Sequence, residues 1–145
     1  MEYIEKDITT VSRGVIAHVV NNRDAMGAGV ARAIYIKWPE VKSAYHKGLL
    51  RLGITQVVPI VENKLYVLNL CAQDGYGNDG RKYLVDYALV ACMQTAISFS
   101  NRYELPLYIP YKMGCGLAGG SWDDIAETLY CLSFGCEQAF YICKP

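Results

Sequence analysis

The chain has 145 residues, 52% of them hydrophobic and 19% charged, and its 14 basic and 14 acidic side chains cancel to a formal net charge of zero. That composition excludes global disorder, and the charge balance argues against a protein that binds by neutralising nucleic-acid phosphates or an anionic membrane. The longest stretch without charge, residues 87–101, contains Gln94, Thr95, Ser98 and Ser100 and falls short of the roughly 20 apolar residues that span a bilayer.

The length suits one domain over residues 1–145, with a core large enough to need no staples. The segment Met1 to Asp7 shows no basic start followed by an apolar run, so no secretory signal is expected. The six cysteines include no CxxC pair and the only histidines are His18 and His46. This favours free thiols in a reducing cytoplasm and gives no support for a metal site.

In chain order, residues 3–8 read as a short strand and 14–20 as a strand buried on both faces, because its apolar run is continuous. A loop by composition follows, then a helix over 29–37 with Val30, Ala31, Ile34 and Trp38 at helical spacing. Pro39 stops it and opens a second helix to about residue 49. Residues 54–61 and 64–70 read as two strands joined at Glu62-Asn63, and 73–80 as loop. The longest helix is expected over 82–101 on the stripe Val85, Leu89, Cys92, Ala96, Phe99. A strand over 105–110, a glycine-rich loop over 113–120, a helix opened by Ser121 with Asp124 as a capping box, and a strand over 139–143 complete the chain. Strands alternating with helices predict a three-layer α/β/α sandwich.

Two segments, 20–30 and 111–120, place a glycine-rich loop between a strand end and a helix start. Such a junction turns free N–H groups and the positive end of a helix dipole towards one point, which suits a phosphate. Two of them on one sheet edge suit a diphosphate. A GxxxxGK[ST] loop is absent. The run Gly114-x-Gly116-x-x-Gly119 matches a dinucleotide-binding fingerprint by letter, but too little chain follows it for the larger domain where that motif opens.

Asp7-Ile8 after a strand, His18-Val19-Val20-Asn21 running into Met26-Gly27-Ala28-Gly29-Val30-Ala31, and Pro110 followed by Met113-Gly114-Cys115-Gly116-Leu117 and Trp122 together resemble a macro domain. The resemblance covers nearly the whole chain in order. It is nearest to the branch that holds the terminal ADP-ribose protein glycohydrolase and the ADP-ribose 1''-phosphate phosphatases. It implies a mixed, mostly parallel six-stranded sheet between helices and ADP-ribose as the ligand. Asp7, with Ile8 beside it, matches the aspartate that accepts from the adenine amino group. Asn21 matches the asparagine that holds the distal ribose; its alternative is a turn former. Gly27, Ala28, Gly29 and Val30 match the first phosphate loop, and Gly114, Cys115, Gly116, Leu117 and Ala118 the second. Tyr141 matches a terminal tyrosine near the adenine, with a core aromatic as its alternative.

Two departures bear on chemistry. The glycohydrolase lysine at the end of the fourth strand falls here on Cys71 or Ala72, and its catalytic aspartate on Ala118. His18 matches the histidine of the phosphatase branch, and Asp24 in the first loop is its candidate partner for acid–base work on a phosphoryl group. The alternatives are a core histidine and a loop-stabilising aspartate. Lys112 and Arg23 could supply positive charge to phosphates. The implied function is a metal-independent, cofactor-free hydrolase of the ADP-ribose 1''-phosphate phosphatase type, acting at the distal ribose. One alternative is a non-catalytic binder or sequesterer of ADP-ribose or a related NAD-derived nucleotide. The other is an ADP-ribosyl hydrolase acting on macromolecules. The expected partners are ADP-ribose, its 1''-derivatives and ADP-ribosylated macromolecules, with no membrane and no sequence-specific nucleic-acid binding.

Overall fold

The computed structural model describes residues 1–145. Its strands are β1 (Glu2–Glu5), β2 (Gly14–Asn21), β3 (Thr55–Val61), β4 (Leu65–Gln73), β5 (Leu107–Pro110) and β6 (Phe140–Lys144). Its helices are α1 (Gly29–Lys37), α2 (Pro39–Gly48), α3 (Asp86–Tyr103) and α4 (Trp122–Ser133), with short 3-10 turns at Ile8–Thr10 and Gly116–Ala118. One sheet runs in the order β1-β6-β5-β2-β4-β3. Every neighbouring pair is parallel except β3 and β4, the hairpin turned at Glu62-Asn63. Pro59 is tolerated because β3 is an edge strand.

The continuous apolar runs of β2 and β4 follow from burial on both faces. On one face Val15, Ala17, Leu68 and Leu70 pack against Leu89, Cys92 and Met93 of α3 and Leu129 of α4. On the other, Ile16, Val20, Val67 and Cys71 pack against Ile34 of α1 and Val41 and Tyr45 of α2. Alternate side chains of each strand therefore feed two separate cores. No helix is long and apolar enough to cross a membrane.

Four expected elements change. The first strand stops at Glu5, because Asp7 caps a 3-10 turn, accepting from Thr9 N at 2.9 Å. The long helix begins at Asp86, not at residue 82. Before it, Tyr83 and Leu84 donate their N–H groups to Ala118 O, and Val85 donates to Ala72 O. That pins residues 83–85 in extended form between the end of β4 and the loop after β5. The fourth strand runs three residues further than expected, to Gln73. Ser121 stands at the N-cap of α4, but its side chain makes no capping hydrogen bond.

Candidate functional site

The carboxyl ends of the adjacent strands β2, β4 and β5 open into one cleft of about 810 Å³, a size that suits a nucleotide-scale ligand. Parallel strands bring their following loops to one edge, so three loops wall it.

The first loop leaves β2 at Asn21. The Asn21 Oδ1 accepts from Arg23 N at 2.9 Å and Ala25 N at 3.3 Å, and its Nδ2 donates to Ala25 O at 2.6 Å. The Tyr45 hydroxyl of α2 lies 2.8 Å from both Asn21 O and Oδ1. This Asx-type turn bends the chain out of the strand. Asp24 follows with φ of 59° and lies 2.5 Å from His46 Nδ1. Ala28 at the N-cap of α1 offers no side-chain acceptor. The N–H groups of Gly27, Ala28, Gly29, Val30 and Ala31 find no acceptor in the protein. Gly29 has φ of +59°, and a Cβ there would enter open space. A helix N-terminus with unshared donors and no side chain over it has the chemistry to accept an anion.

The second loop leaves β5 at Pro110. Gly119 N and Gly120 N bond back to Gly116 O and Gly114 O, closing the loop on itself. The N–H groups of Gly114, Gly116 and Leu117 remain without an acceptor. Gly116 has φ of +62° with open space beside it, a conformation that glycine adopts without cost. Lys112 lines the cleft, its ammonium 5.5 Å from the Tyr111 ring centre, and that ring packs edge-on against Trp122 at 5.2 Å. Burial pushes the Cys115 thiol up, with Lys112 opposing, so it stays a neutral thiol.

The third wall was not anticipated from the sequence. It is the segment after β4, where Gln73, Tyr76, Gly77 and Asn78 line the cleft. Asn22 ties it to the first loop: its Oδ1 accepts from Gly75 N at 2.9 Å and its Nδ2 donates to Asp74 Oδ1 at 3.0 Å. Tyr76 is 60% exposed at the mouth.

Ten of the expected ligand-binding residues meet in this cleft: Asn21, Gly27, Ala28, Gly29, Val30, Gly114, Cys115, Gly116, Leu117 and Ala118. Asn21 arrives with its amide already engaged in the turn. Asp7 and Ile8 lie outside the lining. Asp7 caps its 3-10 turn, and Ile8 is buried in the core with Met26 and Ile34. Tyr141 also lies outside the lining: it sits near the amino end of β6, with its ring 5.2 Å from that of Tyr108, whereas the cleft is at the carboxyl ends.

His18, expected as a catalytic residue, is fully buried on the α1/α2 face of β2 and does not line the cleft. Its Nε2 lies 2.6 Å from Asn69 Oδ1, and burial lowers its pKa to about 4. Asp24 partners His46, not His18, and it too lies outside the lining, as does Arg23. Cys71 and Ala72 are buried, and Gln73 is the β4 residue that reaches the cleft. Lys112 is the one charged side chain on the cleft wall, which carries neither a carboxylate nor an imidazole.

No protein-family model and no curated protein matches the chain. Solved structures do match it along nearly its full length. A protein from Bacteroides thetaiotaomicron is 29% identical with a TM-score of 0.87, covering 99% of this chain and 98% of that one. A macrodomain protein from Streptomyces coelicolor is 24% identical with a TM-score of 0.82, covering 99% and 98%. Thermosipho africanus DarTG, solved in complex with ADP-ribose, is 16% identical with a TM-score of 0.81, covering 99% of this chain and 41% of that one.

Proposed function

We propose, for a chain that has the macrodomain fold, that the cleft binds ADP-ribose and that binding, without side-chain acid–base catalysis, is its function. The observation that carries this reading is the pair of facing loops whose N–H groups, at Gly27 to Ala31 and at Gly114, Gly116 and Leu117, lack any acceptor in the protein. A diphosphate between them would accept from both sets, and Gly29 and Gly116 leave room for it against the backbone. Lys112 adds the single positive charge. We assign the distal ribose to the side walled by Asn21, Gln73 and Tyr76, and the adenine to the flank of α1, where Asp7 and Ile8 stand. The bound ADP-ribose of the Thermosipho structure supports the choice of ligand. The six free thiols suit a reducing compartment, and we place the protein in the cytoplasm as one domain over residues 1–145.

Hydrolysis at the distal ribose is the alternative. With His18 in the core and no carboxylate or imidazole on the wall, it would have to draw its acid and base from the ligand or from water. Sequestration of ADP-ribose, or reading of ADP-ribosylated macromolecules, needs neither.

Calorimetry with ADP-ribose tests the reading. Micromolar affinity, about −8 kcal/mol, is expected, with a rise in melting temperature by mass action. Adenosine, which lacks the diphosphate, should bind far more weakly. Incubation with ADP-ribose 1''-phosphate and with an ADP-ribosylated protein should release neither phosphate nor ADP-ribose. Release of either establishes the hydrolase instead, and no thermal shift at millimolar ADP-ribose ends the binding reading.

A further inference from the structure

We propose that Asp24, His46 and Tyr45 form a latch by which α2 holds the first loop in the shape that presents its N–H groups, making them positioning residues for the diphosphate. The proposal rests on the ADP-ribose reading for its consequence, though not for the latch itself.

Two consecutive residues in the last turn of α2 grip the same short turn. Tyr45, buried, places its hydroxyl 2.8 Å from Asn21 O and Oδ1 on the inner side. His46, more open to solvent, places Nδ1 2.5 Å from Asp24 Oδ1 on the outer side. The gripped turn pivots on Asp24, whose φ of 59° is left-handed, a conformation uncommon for side-chain-bearing residues but one that aspartate tolerates better than most. Beyond Asp24 come Gly27 and Gly29, where a side chain would meet only open space. A loop with two such glycines would otherwise lose much freedom on binding. Fixing its base beforehand removes part of that cost, which is how preorganisation raises affinity. Neither Asp24 nor His46 lines the cleft, so both act through the loop.

The test combines two measurements on four variants: Asp24→Gly, Asp24→Asn, His46→Ala and the double variant Asp24→Gly/His46→Ala. Glycine keeps the left-handed conformation and removes the acceptor. Asparagine keeps both. The first measurement is amide hydrogen exchange in the ligand-free protein. Exchange at Arg23 and Ala25 should quicken in Asp24→Gly and His46→Ala, and stay near that of the parent in Asp24→Asn. The second is the Kd for ADP-ribose. It should rise about tenfold in Asp24→Gly and in His46→Ala, the low end for losing a charge-assisted hydrogen bond. It should rise no further in the double variant, because both changes break one interaction. A purely structural role would lower the melting temperature and leave the Kd of the folded protein unchanged.

Unchanged exchange in both single variants overturns the latch, whether or not the protein binds ADP-ribose. Quickened exchange with unchanged Kd overturns the positioning role. A parent that fails to bind ADP-ribose at all overturns the functional reading, and the exchange data then decide the latch alone.

Discussion

His18 Nε2 and Asn69 Oδ1 lie 2.6 Å apart on the adjoining strands β2 and β4, at the buried start of a chain of hydrogen bonds with a fixed direction. Asn69 Nδ2 donates to Gln56 Oε1 at 3.0 Å, and Gln56 Nε2 donates to the backbone oxygen of Ala44 at 2.7 Å. The Ala44 oxygen can only accept, so each amide is oriented in turn and Asn69 must present its oxygen to the imidazole. His18 therefore carries its proton on Nε2. Its Nδ1, buried, has no partner. The residue links β2, β4, β3 and α2 through one polar thread inside an apolar core.

This thread contributes to the acid sensitivity of the fold. Burial lowers the His18 pKa to about 4, below the ordinary value of 6.5. The folded state thus favours the neutral ring, and the unfolded chain takes up the extra proton. The contribution is fully present above pH 6.5 and is lost as pH falls from there towards 4, by roughly 3 kcal/mol in total. Urea unfolding at pH 7 and pH 4 should show the loss, and His18→Leu should show a smaller difference between the two. An equal pH dependence in that variant would mean that other groups carry it. Affinity for ADP-ribose per folded molecule should be the same in parent and variant.

Gly116→Val should abolish ADP-ribose binding while leaving the fold intact. The position has φ of +62° and open cleft beside it, so valine both strains the backbone and puts a branched side chain where the diphosphate would sit. Calorimetry gives the affinity and circular dichroism the fold. Parent-like affinity in a folded variant would remove the second loop from the site.

Lys112→Ala should weaken ADP-ribose binding by about threefold to fivefold, a small effect because its ammonium is exposed to screening. It is the one charged side chain on the wall. The slope of affinity against salt should flatten in the variant. An unchanged slope would assign the phosphates to backbone donors alone.

The two glycine-rich loops of the cleft were legible because glycine at strand-to-helix junctions is a backbone requirement that survives in the residue types. Other parts were not. In β2 the sets Val15, Ala17, Val19 and Ile16, Val20 are both apolar, so alternation does not say which core His18 enters. Asn21 is matched to a ribose contact by order along the chain, and its bonds to Arg23 N and Ala25 make it a turn former as well, a role its residue type also allows. Tyr141 was placed by its nearness to the end of the chain, which carries no information on its depth along β6. The third wall had a signal, Gly75, Gly77 and Gly80 following a buried strand. Without the register of β4 beside β2, nothing tied that loop to the same edge. The His46 contact joins residues 22 apart in sequence across two helices, which no periodicity reports.

Asp7 offers a test of which base the cleft reads. Its Oδ1 accepts from Thr9 N at 2.9 Å and Thr9 Oγ1 at 2.7 Å. Those bonds, the side-chain one foremost, hold its carboxyl below the usual range, so it is ionised at neutral pH. The second oxygen makes no hydrogen bond within the protein and is free to accept from an adenine amino group. Asp7→Asn keeps an oxygen for Thr9 and turns an amide donor outward in place of that second oxygen. Donor would then face donor. ADP-ribose affinity should fall by about 1.5–3 kcal/mol, the worth of a hydrogen bond to a charged group. The hypoxanthine analogue of ADP-ribose carries a carbonyl acceptor where adenine has its amino group. It should bind the parent poorly and the variant better than the parent, reversing the preference. Calorimetry of both ligands against both proteins completes the comparison. If the two bases bind the parent equally, and Asp7→Asn changes neither affinity, Asp7 serves only the 3-10 turn and the adenine lies elsewhere.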